Sequence, residues 1–162
     1  MITMSTNSAE FISGLDKIGA GIRAKIAARV KEIVFYIDMK AHARTPVFTG
    51  QAVRNMIWAT GSANGTTHEA IASPPETGHT SMMGLGEEPR RAANTEAARA
   101  TLLALDFKDP LKAYCLANQS PDIGLIEDGS AGIPGKSRAP SGVFAITIAE
   151  VMAKLSSGAP LI

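Results

Sequence analysis

Between residues 11 and 37 the chain places an apolar side chain at every third or fourth position: Phe11, Leu15, Ile18, Ile22, Ile26, Val30, Ile33 and Ile37. The mean step of ~3.7 residues is that of one face of a nearly straight α-helix. Asn7 or Ser8 supplies an N-cap, and Pro46 in the Arg44-Thr45-Pro46 stretch limits the other end. A continuous helix over residues 8–43 would run ~54 Å at ~1.5 Å per residue. A compact domain of this size is only roughly 40 Å across. The helix therefore bends or projects. Gly14, Gly19 and Gly21 are where a break costs least, each being ~1 kcal/mol worse than Ala in a helix. A projecting helix would need another subunit to cover its apolar face.

The whole chain has 162 residues, enough for one domain with a hydrophobic core, and no internal repeat or domain boundary is visible. With 45% hydrophobic and 19% charged residues its composition is that of a globular protein. Aromatics are only 5%, so a core of Ile, Leu, Val and Met is expected. The single cysteine, Cys115, excludes an internal disulfide and a Cys-rich zinc site. MITMSTNSAEF lacks a basic segment followed by an apolar run, so no secretory signal is expected. The apolar run Ile33 to Ile37 is far short of the ~20 residues of a membrane span.

After Pro46, Val47-Phe48-Thr49-Gly50 reads as a turn, and residues 51–60 as a helical turn leading into a strand. Residues 61–67 (GSANGTT), with Asn64-Gly65, suggest a hairpin loop whose return strand is Ala70 to Ala72. Ser73 to Pro89 is rich in Pro, Gly, Thr and Met; loops beyond ~12–15 residues are usually functional or disordered, so this one is a candidate contact arm. Met82, Met83 and Leu85 are its candidate interface residues. Pro89 at a first helical position, preceded by Glu87 and Glu88, opens an Ala-rich helix to about Leu105. Leu111 to Ala117 is a plausible strand, Asn118 to Gly142 reads as irregular, and Val143 to Leu155 as a closing helix. The expected architecture is one α+β domain over 1–162: a long N-terminal helix, a small, mostly antiparallel sheet, an Ala-rich middle helix and a C-terminal helix.

A search for catalytic chemistry finds little. His42, His68 and His79 have no metal-ligand spacing, and surface or helix-cap roles suit them better. Cys115 alternates with apolar neighbours and reads as a buried structural thiol. Gly19-Ala20-Gly21 lacks the preceding strand of a dinucleotide turn. The pairs Glu87-Glu88 and Glu127-Asp128 are adjacent in sequence, which splays their side chains apart instead of converging them as an acid/base pair. The expectation is a protein without catalytic residues, metal or cofactor.

Net charge is +1, which argues against nucleic-acid binding by overall charge. By region the balance shifts: residues 1–60 carry 8 basic and 4 acidic side chains, and residues 61–110 carry 4 and 7. Opposite signs in adjoining regions permit head-to-tail packing of subunits. Lys17, Lys25 and Arg29 share a four-residue row on the first helix, with Arg23 and Lys31 beside it. A solvated helix face is the simplest role for them. The alternative is a basic surface that meets an acidic partner or lines a passage for DNA.

Thr45-Pro46-Val47-Phe48-Thr49-Gly50, following a long N-terminal helix, resembles the Thr-Pro-Val-x-Thr-Gly element of a bacteriophage morphogenesis family of minor tail, tail-completion and neck proteins of long-tailed phages. Asn118-Gln119-Ser120-Pro121, then Ile126-Glu127-Asp128-Gly129-Ser130, then Ala139-Pro140-Ser141-Gly142 resembles a second hallmark of that family in order and spacing. The resemblance spans about residues 10–155. Asp122 and Ile123 stand where the family places Tyr and Ala, and the middle region is expanded.

In physical terms Pro46 stops the helix, while Gly50, Gly129 and Gly142 permit turns with positive φ. Pro140 lies just ahead of the last helix, and Glu127 is placed to accept hydrogen bonds from loop amides or to meet a basic neighbour. These motif residues either hold turns or touch a neighbouring subunit. The resemblance implies a non-enzymatic virion protein at the head–tail junction. It implies a ring homo-oligomer of six-fold symmetry that docks on a head connector or adaptor and on a tail terminator or tube. Packaged DNA would cross the lumen without sequence-specific binding, and assembly would occur in the bacterial cytoplasm. Rival readings are a tail terminator that caps the tube and a small DNA-binding protein using the basic helix; an enzyme with a dispersed site is the least favoured.

Overall fold

A computed structural model of the chain describes residues 7–47, 50–63, 65–71, 87–129 and 142–161. Its elements are α1 (Ser8–Arg44), α2 (Gln51–Arg54), β1 (Ile57–Thr60), α3 (Glu87–Leu103), β2 (Tyr114–Ala117), α4 (Ile123–Glu127) and α5 (Phe144–Ser157). The fold is α+β, dominated by helix, with β1 and β2 forming a two-stranded antiparallel sheet.

The first helix is unbroken for 37 residues. Its glycines do not interrupt it because Gly, unlike Pro, keeps the N–H that the helical ladder needs. It stops where the sequence requires: Thr45 is extended (ψ 120°), as a residue before proline prefers, and its N–H and hydroxyl both donate to the Ala41 carbonyl. Gly50 then turns with φ 93° into α2.

Among the described residues the expected hairpin is not formed. β1 pairs with β2, in the register Ile57↔Ala117, Trp58↔Leu116, Ala59↔Cys115 and Thr60↔Tyr114. The segment expected to return beside β1 is held elsewhere by two buried asparagines, each imitating a strand partner. Asn55 accepts from His68 N–H (2.6 Å) and donates to its carbonyl (2.8 Å). Asn94 does the same for Ile71, at 2.8 Å in both directions. A side-chain amide has one donor end and one acceptor end, so each buried asparagine satisfies both backbone groups of the residue it holds.

Other boundaries also move. The Ala-rich helix begins at Glu87, so Pro89 lies inside its first turn, and it ends at Leu103. Of the expected 73–89 arm, residues 87–89 are therefore helix; Met82, Met83 and Leu85 lie outside the described residues. The strand is confined to Tyr114–Ala117, and the stretch expected to be irregular after Asn118 contains the short helix α4. The last helix runs to Ser157 before Gly158 closes it at φ 70°.

The core lies where the C-terminal third of α1 meets α3, the sheet and α5. One cluster gathers Ala41, Ala52, Met56, Ala98, Ile126 and Val143; a second Val34, Trp58 and Leu102; a third Tyr36, Val151 and Leu161. The buried core is mainly Val, Ile, Leu and Met, as expected, with Tyr36 and Trp58 as its buried aromatics. Phe107 stacks on Tyr114 at 4.9 Å and meets Phe35 at 6.2 Å. A few large rings fill gaps in an interior otherwise built from aliphatic side chains.

Candidate functional site

The described residues offer no group of three or more His, Cys, Asp or Glu that could hold a metal ion, and no helix long and apolar enough to cross a membrane. What they offer instead is uncovered apolar surface. Phe11, Ile12, Leu15, Ile18, Ile22 and Ile26 on α1 are 44–68% exposed. Of the two expected alternatives, bending or projecting, the helix projects, and its apolar stripe is divided. Its first half is a ridge in solvent, and its second half, Val30, Ile33 and Ile37, lines an open groove of about 390 Å³ with Trp58, Leu116, Phe144 and Ile148.

Beyond Ile148 the apolar surface continues along α5. Thr147 and Val151 face inward, whereas Ile146, Ile148, Met152 and Leu155 are 37–58% exposed. Ala145, Ala149 and Ala153 fill the spaces between them, so the outward face of α5 carries no charged side chain. An outward helix face of large apolar side chains without charge marks a surface that another one covers.

Of the basic residues singled out from the sequence, Arg23, Lys25 and Arg29 adjoin the ridge in helical phase, and Lys17 lies on the opposite side of the helix. Lys17, Arg23 and Lys25 are exposed, while Arg29 is half-buried and pairs with Glu32 at 2.5 Å. Ridge and cations share the same projecting helix.

The motif residues converge on the opposite end of the molecule. Asn118 donates to the Ala52 carbonyl (2.7 Å) and accepts from Ser120 N–H (2.9 Å), tying the end of β2 to α2. Gly50 is packed so closely on Asn94 that a Cβ there would collide with its side-chain amide. Glu127 accepts from the N–H groups of Val143 (2.8 Å), Phe144 (3.0 Å) and Ala145 (2.8 Å), capping α5 from 16 to 18 residues away. Burial pushes the Glu127 carboxyl up, but these three amides outweigh it and hold the group below its ordinary value. Gly142 turns with φ 74°, and a Cβ on it would stand 2.6 Å from the Glu127 carbonyl. Gly129 likewise has positive φ, and Pro46 and Pro121 flank turns. Thr49, Ser130 and Pro140 lie outside the described residues. The contacts that these described motif residues make within the chain hold turns.

Sequence reasoning missed a buried polar node. Asp38, 1% exposed, accepts from Trp58 Nε1 (3.0 Å) and Arg99 Nε (2.9 Å), and His42 Nδ1 lies 3.2 Å from it. His42 is thus buried, not the surface or cap residue expected, because Asp38 and His42 share a helix face turned toward Trp58 and α3. Burial raises the Asp38 carboxyl, but His42, Trp58 and Arg99 together bring it below its ordinary value. Their i, i+4 spacing on one helix face was the available signal. Cys115 is half-buried, not buried, since it faces the same side of the sheet as Ala59 near the open end.

α1 and α5 are joined by a second polar group at their shared surface. Glu150 accepts from Tyr36 and from Arg44, with Lys40 Nζ at 3.5 Å. These partners lower the Glu150 carboxyl to about 2. The clamp fixes the angle at which the outward face of α5 is presented.

Comparison with protein-family models, with curated proteins and with solved structures returns no match.

Proposed function

We propose that the chain is a non-enzymatic structural subunit of a phage head–tail junction. In this reading it forms a ring of several copies, six by the family resemblance, that joins a head connector to the tail and lets DNA through its lumen. The observation that carries the reading is the uncovered apolar ridge on a helix anchored in the core, paired with an uncovered apolar face on α5. Monomers seldom leave so much contiguous apolar surface open; assembly subunits do. The motif resemblance supplies the setting, and the basic residues beside the ridge suit a surface near DNA or an acidic partner.

Electron microscopy of lysates from the parent phage with this gene deleted tests the reading. DNA-filled heads beside unattached tails of normal length are expected. Abnormally long tails would move the assignment to tail termination, and normal infectious particles would overturn both.

A further inference from the structure

We infer that the α1 ridge of one copy docks on the outward face of α5, and the groove beside it, of a second copy. The ridge is a row of six large apolar side chains from Phe11 to Ile26, spanning ~22 Å of helix. At on the order of 100 Å² of open apolar surface each they total roughly 600 Å². That approaches the ~800 Å² per partner of a standard protein interface.

The receiving surface is of the same kind. Ile148, Met152 and Leu155 lie at helical spacing along α5, and the groove floor is made by Ile33 and Ile37. No charge interrupts the outward face, so the ridge meets nothing there that must be desolvated unpaired. Arg23 and Lys25 flank the ridge, where they stay in solvent at the rim of such a contact.

The occupant cannot be the chain's own ridge. Ridge and groove floor lie along one face of a single unbroken helix, which cannot fold back to lay the ridge on the groove it matches. Pairing ridge with ridge would cover one patch and leave α5 open; ridge on α5 covers both with one contact. Because the two patches differ, the contact is heterologous: each copy offers a ridge and accepts one, which generates a ring when the rotation closes. The inference rests on the proposed function only in taking the partner to be another copy.

The test is the oligomeric state of the purified full chain by light scattering, up to high-micromolar concentration. Wild-type protein is expected to assemble. A ridge variant, Ile18→Asp with Ile22→Asp, and an α5 variant, Ile148→Asp with Met152→Asp, are each expected to be monomeric. All four positions are exposed, and circular dichroism will show whether each variant keeps its helices. Mixed together, the two variants retain one intact ridge and one intact α5 face, so a 1:1 heterodimer is expected. Assembly by the α5 variant alone would mean ridge-on-ridge pairing and overturn the inference, as would a monomeric wild type or a mixture that stays monomeric. If the heterodimer forms while the gene deletion leaves normal phage particles, the interface stands and the head–tail function falls.

Discussion

Glu127 does by side chain what a local N-cap usually does, at a distance of 16 residues. Replacing it with Ala frees three amides at the start of α5 and is expected to cost about 1–2 kcal/mol, read by urea denaturation. Asp38 is held more tightly still. Asp38→Asn removes a buried negative charge shared by Arg99, His42 and Trp58, and a loss of about 3 kcal/mol is expected from the same measurement. A loss below ~0.5 kcal/mol at either site would show that the contacts contribute little to stability. The residue scale also shows what was legible. Gly50, Gly129 and Gly142 were recognisable as positive-φ positions because only glycine adopts that backbone readily. Glu127 was recognisable as an amide acceptor, but which amides it reaches depends on the path of residues 130–141.

Between elements, the α1–α5 junction is where acidity should act first. Glu150 titrates near 2 in the fold against an ordinary 4.5, so its stabilising effect is complete above pH ~4.5 and is lost as pH falls toward 2. The thermal midpoint should decline over that window, and Glu150→Gln should flatten the decline; equal slopes would exclude Glu150 as the cause. α1 was readable from the apolar period and Pro46, since both signals are local. The pairing of β1 with β2 was not, because it joins segments about 57 residues apart and competes with a tempting Asn-Gly turn. Asn55 and Asn94 decide that competition by binding the backbone of His68 and Ile71, and nothing in their own sequence neighbourhood announces it. The same limitation hid α4: five helical residues are too few to show a period.

For the whole molecule, the basic row gives a prediction separable from the fold. Lys25→Glu with Arg29→Glu is expected to weaken assembly or genome retention, seen as reduced infectious yield with normal circular dichroism; an unchanged yield would remove the row from the proposed function. Lys25 is the cleaner single change, since Arg29 also pairs with Glu32. The candidate site itself was half visible: the stripe was read correctly as helical, but where its burial ends depends on how far α3, the sheet and α5 reach along it. That division has a geometric result. One rigid rod carries both the packed segment and the free ridge, so the direction in which the ridge faces is locked to the core by helical phase. Each inserted residue turns it by about 100°. Two residues added at Ala27-Ala28 should swing the ridge through roughly 200° and abolish self-association while the core stays folded. Seven added there restore the phase to within ~20° and move the ridge ~10 Å outward. Assemblies of the second variant, if they close, should be measurably wider in projection, so that α1 serves as the gauge by which neighbouring copies are spaced.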